Sequence, residues 1–327
     1  MSVLVTGGAG YIGSHAVLEL LDAGEEVIVL DNLSTGFRSA VPAAAQLVVG
    51  DVGDQGLVRQ ILSEAGVDAI LHFAGSIIVP ESVSDPLGYY LNNTCKSRNL
   101  IACAVEAGLK HFIFSSTAAV YGIGGDDPID EDAPIDPISP YGSSKLMTET
   151  MLRDAAKAHD FTYLALRYFN VAGADPRGRA GQSTRAATHL IKVAAQAALG
   201  ERPWVEVFGD DYPTPDGTGV RDYIHVTDLA RAHLAALRYL RAGGESTVLN
   251  CGYGRGFSVL EVISSVRRAA KWDVPVRRAA RRRGDPATLV ATADRVRTIL
   301  GWRPELDDLD TIVAHALLWE RHLQSTR

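Results

Sequence analysis

The stretch that decides the fold is Ser2-Val3-Leu4-Val5-Thr6-Gly7-Gly8-Ala9-Gly10-Tyr11-Ile12-Gly13-Ser14. It begins with a short apolar run typical of a buried parallel strand, and a helical pattern starts at Ile12. Between the two, Gly7, Gly10 and Gly13 form a G-x-x-G-x-x-G loop, whose backbone amides can approach a diphosphate because no Cβ intervenes. The following helix supplies N–H donors and the positive end of its dipole. This strand–loop–helix unit favours a nucleotide-binding α/β fold.

An acidic residue follows the second predicted strand. That strand, Val27–Leu30, leads directly into Asp31, which lies 18 residues after Gly13. A carboxylate at this place accepts hydrogen bonds from the ribose hydroxyls of an adenosine and repels a 2′-phosphate. Asp51, after the third predicted strand, is placed to accept a hydrogen bond from the adenine amino group. The sequence therefore predicts NAD rather than NADP as the cofactor.

Short apolar runs alternate with helical segments through the first half of the chain. The predicted strands are Val3–Val5, Val27–Leu30, Leu47–Val49, Ala69–Phe73, His111–Phe114 and Tyr163–Leu166. The predicted helices are Ile12–Leu21, Leu57–Glu64, Tyr89–Ala107 and Lys145–His159, followed in the less regular second half by Ala186–Leu199, Thr227–Tyr239, Ser258–Ala270 and Asp310–His322. We therefore predict a Rossmann-type doubly wound parallel sheet for residues 1–168, with later segments returning to it. Residues 169–327 are expected to form a smaller, partly interleaved α/β domain.

The composition narrows the classes of partner. The chain of 327 residues carries a net charge of −7, which is a poor basis for binding nucleic acid. No apolar run is long enough to cross a bilayer and no targeting segment opens the chain, so we expect a cytoplasmic protein with no membrane partner. Cys95, Cys103 and Cys251 lack the spacing of a disulfide framework or a metal site, so we expect buried thiols and no metal.

A tyrosine and a lysine stand four residues apart in Tyr141-Gly142-Ser143-Ser144-Lys145, which opens a helix after Pro140. The spacing puts both side chains on one helix face, and a nearby ammonium lowers a phenol pKa that is ordinarily near 10. Tyr141 can then act as a general base. Thr117 lies just beyond the strand His111–Phe114, at the sheet edge where ligands bind, and can hydrogen-bond the same substrate hydroxyl.

Longer motifs add a family resemblance that covers nearly the whole chain. They are Asp31–Gly36 (DNLSTG), His72–Gly75 (HFAG), Ser115–Gly122 (SSTAAVYG), Arg167–Asn170 (RYFN), Phe208–Thr214 (FGDDYPT) and Asp216–Val226 (DGTGVRDYIHV). With the glycine loop and the Tyr-Lys pair, they resemble the extended short-chain dehydrogenases/reductases and, more closely, the UDP-glucose (UDP-galactose) 4-epimerases. The resemblance implies interconversion of UDP-galactose and UDP-glucose through a 4-keto sugar, with tightly bound NAD. It also implies a homodimer formed by the helices Tyr89–Ala107 and Lys145–His159.

The resemblance also implies roles for individual residues. The catalytic residues are Thr117, Tyr141 and Lys145. The cofactor-binding residues are Gly7, Gly10, Tyr11, Ile12, Gly13, Asp31, Asn32, Ser34, Thr35, Gly36, Asp51, Val52, Phe73, Ala74, Gly75, Asn93, Ser115, Tyr141, Lys145 and Tyr168. The substrate-binding residues are Thr117, Tyr141, Asn170, His189, Leu190, Phe208, Arg221, Tyr223, Arg282, Asp285 and Leu289. The guanidinium groups suit a diphosphate. Phe208 is either a platform for uracil or a core aromatic residue.

This chain departs from the pattern of the best-known members at two positions. Ile77 replaces a lysine that contacts the cofactor ribose, and His189 replaces an asparagine that helps to bind the substrate. Leu289 stands at a gate position where members confined to UDP-hexoses have a tyrosine, and members that accept N-acetylated sugars have a smaller residue. A packed strand residue is the alternative interpretation of Leu289.

Other reactions remain open. A dehydratase or decarboxylase would place acidic residues just after the threonine, where this chain has Ala118 and Ala119. A 4-epimerase of UDP-N-acetylhexosamines or UDP-pentoses stays open, because the catalytic triad does not report on the rest of the sugar. A non-catalytic NAD-binding protein is the alternative of a different class, because a fold alone does not define a function.

Overall fold

The computed structural model describes residues 2–123, 127–184, 187–282 and 285–326. The strands are β1 (Ser2–Thr6), β2 (Glu26–Asp31), β3 (Gln46–Val49), β4 (Val67–His72), β5 (His111–Ser115), β6 (Thr162–Tyr168), β7 (Asn170–Ala172), β8 (Val205–Phe208), β9 (Val220–His225), β10 (Thr247–Cys251), β11 (Gly256–Ser258), β12 (Val276–Ala279) and β13 (Thr288–Leu289). The α-helices are α1 (Tyr11–Asp22), α2 (Gln55–Glu64), α3 (Val79–Ser84), α4 (Pro86–Tyr89), α5 (Lys96–Glu106), α6 (Pro140–Ala158), α7 (Leu190–Ala198), α8 (Val226–Arg241), α9 (Val259–Ala270), α10 (Asp294–Leu300) and α11 (Leu309–Ser325).

A seven-stranded sheet in the order β3-β2-β1-β4-β5-β6-β10 forms the centre of the molecule. Each neighbouring pair of its strands is parallel. The strand order reverses between β1 and β4, so the loops that leave the carboxyl ends of these two strands diverge and open a crevice. The predicted Rossmann-type doubly wound α/β fold is therefore confirmed.

The sheet is buried on both faces because successive strand residues alternate between two cores. On β1, Val3 and Val5 join one core, whereas Leu4 joins the other. Helices α1 and α8 pack together over the first core, and helices α2, α5 and α6 cover the second. This double cover explains why the strands appear in the sequence as continuous apolar runs.

The second half of the chain adds one strand to the main sheet and one helix to the layer that covers it. Strand β10 pairs with β6 at the sheet edge, and helix α8 packs on α1. The remaining strands of that half form small sheets beside the crevice. Strand β9 lies between β11 and β13 and also pairs with β7, while β8 pairs with β12. The sequence analysis did not list these strands, because most of them have only two to four residues or carry polar and charged residues within them, as in Val220–His225; only Leu289 was considered as a strand residue.

The predicted helices all differ from the observed ones in at least one end residue, and two of them include several residues that are not α-helical in the structure. The predicted helix Tyr89–Ala107 is interrupted by a π-helix at Tyr90–Cys95, with α4 before it and α5 after it. Such local widenings of a helix are frequent at functional sites. The predicted helix Ala186–Leu199 begins at Leu190, and Ala186 itself lies outside the described residues.

The three cysteine thiols are free, but the prediction that all of them are buried is wrong. Cys103 and Cys251 are buried, whereas Cys95 is exposed because it lies on the outer side of the π-helix segment. Within the described parts of the chain, we find no helix with both the length and the apolar character needed to cross a membrane.

Candidate active site

The glycine loop closes against the loop after β4 across the crevice. Gly7 has a φ of +73°, and a Cβ at this residue would lie only 2.6 Å from the backbone nitrogen of Ala74. A Cβ on Gly13 would lie 2.2 Å from the carbonyl oxygen of Gly7. These two positions therefore require glycine. Gly10 precedes α1 and provides no side-chain cap, which leaves the N–H groups of the first turn for an anion.

Asp31 ties the end of β2 to the glycine loop. Its buried carboxylate accepts hydrogen bonds from Ala9 N at 2.9 Å and from Leu33 N at 2.8 Å. A carboxylate offers about four lone-pair positions, so both oxygens keep acceptor capacity for ribose hydroxyls. The same carboxylate holds the loop and presents a negative charge where a 2′-phosphate would sit.

Asp51 has a partner that the sequence reasoning missed. Lys96 Nζ lies 2.6 Å from Asp51 Oδ2, and Gly53 N donates to Asp51 Oδ1 at 2.8 Å. Partial burial raises the pKa of Asp51, but the hydrogen bonds from Lys96 and Gly53 outweigh it and leave the pKa below its ordinary value. The carboxylate is thus kept ionised, as suits an acceptor for an adenine amino group.

The predicted cofactor residues share one location, the carboxyl edge of the main sheet. Those of the glycine loop and α1 follow β1, and the other strands contribute Asp31, Asn32, Ser34, Thr35 and Gly36 after β2, Asp51 and Val52 after β3, Phe73, Ala74 and Gly75 after β4, Ser115 at the end of β5 and Tyr168 at the end of β6. The residues therefore fit a dinucleotide that spans the crevice. Ile77 is 56% exposed on the loop after β4. Its side chain is aliphatic, so it provides no polar substitute for a lysine.

Asn93 lies in the π-helix and joins this edge to the catalytic helix. Its Oδ1 accepts from Ser76 N at 2.8 Å, and its Nδ2 donates to Ser76 O at 2.9 Å and to Ser144 Oγ at 3.1 Å. The side chain is buried. Asn93 therefore holds the loop after β4 against α6, beside the Tyr-Lys pair.

The structure brings Thr117, Tyr141 and Lys145 together at the end of β5. Helix α6 begins at Pro140, where Ser139 caps it by accepting a hydrogen bond from Gly142 N at 3.2 Å. Tyr141 is hydrogen-bonded to Thr117. Lys145 Nζ donates to Ser115 O at 3.0 Å. The three side chains are almost completely buried, so their contacts act in a low-dielectric environment.

The prediction that Lys145 lowers the pKa of Tyr141 is not what the structure shows. Burial raises the pKa of Tyr141 above its ordinary value, and the hydrogen bond with Thr117 lowers it only in part. The physical reason is that burial removes the water that would stabilise a phenolate. The ammonium of Lys145 is engaged with Ser115 O instead.

Burial also acts on Lys145, in the opposite direction. It lowers the pKa of Lys145 to about 8, and the negative charge of Glu149 opposes this effect. Because a buried ammonium is costly, the charge state of Lys145 depends on the groups around it.

Four predicted substrate residues line one small cavity among β7, β9, α7 and α11. Asn170, His189, Leu190 and Tyr223 line a space of about 20 Å³, with Asn170 and Tyr223 paired across β7 and β9. His189 Nδ1 lies 2.7 Å from Gln182 Nε2. Burial, and secondarily the charge of Lys192, lowers the pKa of His189, which favours the neutral imidazole.

The other predicted substrate residues form a cationic and aromatic group at β8, β9 and β13. Arg221 forms an ion pair with Asp285. The guanidinium of Arg282 lies 3.8 Å from the ring centroid of Phe208, which is half-buried. Leu289 stands next to Arg221 in the register of β13 and β9. An exposed guanidinium over an aromatic ring is a suitable setting for a flat, polar ligand.

A buried network behind the trio was missed at the sequence level. Glu149 receives hydrogen bonds from Ser116 and Arg167, and Arg167 also bonds Tyr121. One signal was available, because Glu149 follows Lys145 by four residues and shares its helix face. The partners at the ends of β5 and β6 carried no such signal, since their contact depends on strand order.

The fold and the trio together define an NAD-dependent enzyme of the short-chain dehydrogenase/reductase class. The chain belongs to the NAD dependent epimerase/dehydratase family, whose sequence profile matches residues 3–252.

Relatives within this family match the chain over its full length. A UDP-glucose 4-epimerase from Azospirillum brasilense is 58% identical over 324 residues, which cover 99% of this chain and 93% of the relative. A crystal structure of UDP-glucose 4-epimerase from Stenotrophomonas maltophila, with bound NAD and formylated UDP-arabinopyranose, is 40% identical with a TM-score of 0.97 and covers 100% of both chains. The UDP-Glc/GlcNAc 4-epimerase from Campylobacter jejuni is 47% identical with a TM-score of 0.87, covering 98% of this chain and 99% of the other. The predicted resemblance and the NAD cofactor are confirmed.

The position of Asp31 predicts the choice of cofactor. We expect the purified protein to release NAD on denaturation. The substitution Asp31→Asn should raise the affinity for NADP relative to NAD by about tenfold or more, because it removes the charge that repels a 2′-phosphate while keeping one acceptor oxygen. The measurements are chromatography of the released dinucleotide and titration of the cofactor-free protein with each dinucleotide. Release of NADP from the wild type would contradict the assignment.

Proposed function

We propose that this chain is a UDP-glucose 4-epimerase, which interconverts UDP-galactose and UDP-glucose. The observation that carries the proposal is the contact of Tyr141 with Thr117, one helical turn from Lys145, at the sheet edge where the dinucleotide residues converge. This arrangement is suited to remove a proton from a secondary alcohol beside a hydride acceptor. The full-length relatives named UDP-glucose 4-epimerase supply the substrate class.

The chemistry begins with the 4-hydroxyl of the sugar. Tyr141 accepts its proton as the general base, and Thr117 hydrogen-bonds both the tyrosine and the same hydroxyl. Burial opposes the phenolate in this structure, so the proposed chemistry requires that Lys145, one turn along α6, lends its positive charge to Tyr141 when the site is occupied. NAD bound by the residues at the sheet edge would supply the hydride acceptor, and later the hydride donor, for C4 of the sugar. The near-complete burial of the trio excludes water from the 4-keto sugar.

Epimerisation requires that one end of the substrate turns while the other stays fixed. The group of Phe208, Arg221 and Arg282 is suited to hold uracil and diphosphate, by stacking and by guanidinium contacts. Arg221 pairs with Asp285, so a diphosphate would share or replace that carboxylate as its partner. A UDP anchored on this side leaves the sugar free to rotate near Tyr141.

Elimination and decarboxylation are less well supported. Ala118 and Ala119 form the turn that follows Thr117, and Ala119 N donates to Thr117 Oγ1 at 3.1 Å. These methyl side chains supply no acid or base next to the threonine. The site therefore suits oxidation and reduction at C4, in which Tyr141 takes the hydroxyl proton and later returns it to the same oxygen, and it offers no second acid or base for elimination.

We expect the purified protein to convert UDP-galactose to UDP-glucose in an assay coupled to UDP-glucose dehydrogenase, with no reductant added. Tyr141→Phe is the matched control, since it removes only the hydroxyl; its turnover should fall about 10²–10⁴-fold or more, because the general base is lost. NAD content and thermal unfolding of the variant should match the wild type. A folded variant that keeps more than about a tenth of the rate would show that Tyr141 is not the base. A wild type without turnover would leave the non-catalytic alternative.

We further propose that Leu289 permits N-acetylated sugars in the site. Leu289 is half-buried, and it packs against a cluster that contains Ala118 and Tyr121, close to the catalytic threonine. Its strand neighbour across β9 is Arg221. The residue therefore stands between the diphosphate side and the catalytic side, where the sugar has to turn. A leucine there occupies less volume than a tyrosine and carries no hydroxyl.

Steady-state kinetics on both substrate pairs test this role of Leu289. The wild type should interconvert UDP-N-acetylglucosamine and UDP-N-acetylgalactosamine, whereas Leu289→Tyr should lose at least about tenfold in kcat/KM for this pair and change little for UDP-galactose, because only the N-acetyl group meets the added ring. Leu289→Met, of similar volume, is the control. If the tyrosine variant processes the N-acetyl sugars as well as the wild type does, Leu289 is not the gate.

We also propose a homodimer. Val83, Leu87 and Leu91 are 64%, 77% and 60% exposed on the segment from α3 to the π-helix, and Met147 on α6 is 45% exposed. Helices α3 and α4 and the π-helix all contact α6, so these exposed apolar residues lie on neighbouring elements. Apolar surfaces of this kind mark protein interfaces.

Sedimentation velocity tests the dimer. The wild type should sediment as a dimer, and Leu87→Glu should produce monomers, because it places a charge in the apolar contact. Leu318 on α11 is also exposed, at 58%, but lies outside this surface. Leu318→Glu should therefore leave the dimer intact. A monomeric wild type would contradict the proposal.

A further inference from the structure

Glu149 is a buried carboxylate in the catalytic helix that the chemistry above does not use. It lies one turn after Lys145 on α6 and is 5% exposed. Its Oε1 accepts hydrogen bonds from Ser116 Oγ and from Arg167 Nε, the latter at 3.0 Å, and its Oε2 accepts from Arg167 Nη2 at 2.6 Å. An ionised carboxylate with this burial is costly unless such partners compensate it.

Ser116, which bonds Glu149, lies at the end of β5 between Ser115 and Thr117, which contact the catalytic residues Lys145 and Tyr141. Ser115 O accepts from Lys145, Ser116 Oγ bonds Glu149, and Thr117 bonds Tyr141. Three consecutive residues after Phe114 are therefore tied to three residues spaced one turn apart on α6. Of these three helix residues, Glu149 is the one whose side chain also bonds Arg167 on β6.

On β6, Arg167 extends the connection. It directly precedes Tyr168, whose hydroxyl bonds Ser115 Oγ. Its Nη1 donates to Tyr121 OH at 2.9 Å, and Tyr121 OH donates to Asn250 Oδ1 at 2.7 Å. The bidentate contact of Arg167 with Glu149 thus ties α6 to β6, and the contact of Ser116 with Glu149 ties it to the end of β5. Bidentate geometry of this kind resists both sliding and rotation of the helix.

Among the residues that the structure describes, Glu149 supplies the negative charge that acts on Lys145. On the lysine's own helix, Tyr141 and Glu149 face it. From β4, His72 faces it as a neutral imidazole, because burial, and then the charge of Lys145, lowers the pKa of His72 to about 3. On β6, Tyr168 bonds Ser115, whose carbonyl oxygen accepts from Lys145, and Arg167 pairs with Glu149, so the Arg167 cation partly offsets the charge of that carboxylate. Glu149 is therefore the carboxylate that supports the ammonium, and it opposes the loss of charge that burial imposes on Lys145.

We propose that Glu149 is a positioning residue for the reaction: its carboxylate docks the catalytic helix on the ends of β5 and β6 and keeps Lys145 in its ammonium form. The proposal rests on the proposed function only for its kinetic readout. Glu149 does not touch the substrate in this account. It acts through Ser116, Arg167 and Lys145.

The experiment compares the pH profiles of kcat and KM for UDP-galactose in three variants. Glu149→Gln keeps the shape and removes the charge. Glu149→Asp keeps the charge on a shorter side chain. The double variant Glu149→Gln/Arg167→Met also removes the buried cation. It should therefore fold even if the unpaired Arg167 of the single variant prevents folding.

Activity that needs a charged Lys145 is lost as the pH rises through the pKa of that lysine. Without the carboxylate this pKa falls, so the alkaline limb of kcat should move to lower pH by about one unit in Glu149→Gln, and kcat at pH 8 should fall about fivefold. In the double variant the shift should be smaller, about half a unit, because the loss of the Arg167 cation acts in the opposite direction. KM should stay within about twofold, because UDP is held elsewhere. Glu149→Asp should return the limb to within about half a unit of the wild type.

A readout without turnover separates this proposal from the proposed function. In protein labelled with ¹³C at lysine Cε, the Lys145 resonance, assigned by Lys145→Met, should titrate about one unit lower in Glu149→Gln and about half a unit lower in the double variant, which also lacks the Arg167 cation. An unmoved titration and an unmoved limb in folded variants, or equal changes in kcat and KM, would overturn the role of Glu149. A wild type with no turnover but the expected NMR shift would contradict the proposed function and support the role of Glu149.

Discussion

The close approach of two backbone segments at the centre of the sheet is the constraint on which the rest of the structure depends. The loop after β1 meets the loop after β4 at Gly7 and Ala74, where a Cβ would lie 2.6 Å from a backbone nitrogen. Because the strand order reverses between these two strands, the crevice opens at this place. The dinucleotide residues therefore converge on it, and the substrate has to lie beside them.

Burial governs the chemistry next to this crevice. It raises the pKa of Tyr141 and lowers the pKa of Lys145, so it opposes the charged form of both residues. The neighbouring contacts act against burial: Thr117 hydrogen-bonds the tyrosine, and the charge of Glu149 supports the ammonium. A site without water strengthens each electrostatic interaction inside it. The charge states of its residues therefore depend strongly on where the surrounding groups lie. The buried hydrogen bonds of Glu149 with Ser116 and Arg167 hold the catalytic helix in place for this purpose.

The second half of the chain supplies the parts that the sheet alone lacks. Strand β9 carries Arg221 and Tyr223, and its neighbours β7 and β13 carry Asn170 and Leu289. The small sheet thereby brings the residues that we propose hold the diphosphate close to those that we propose face the sugar. Strand β10 and helix α8 return from this half to the main sheet layer, so the two halves share one framework. A substrate held between them can be anchored at one end and free at the other.

The sequence by itself determined the Rossmann-type fold, the glycine loop and Asp31, and the spacing of Tyr141 and Lys145, because each of these depends on residues close together in the chain. Local periodicity also placed α6 and most strands of the main sheet. Only the tertiary structure decided that Lys96 pairs with Asp51, that Gln182 contacts His189, and that burial raises rather than lowers the pKa of Tyr141. The same holds for the contact of Glu149 with Ser116 and Arg167, which follow or lie on two different strands. The physical reason is that burial and ion pairing depend on which distant segments pack together, and neither leaves a pattern within one segment of sequence.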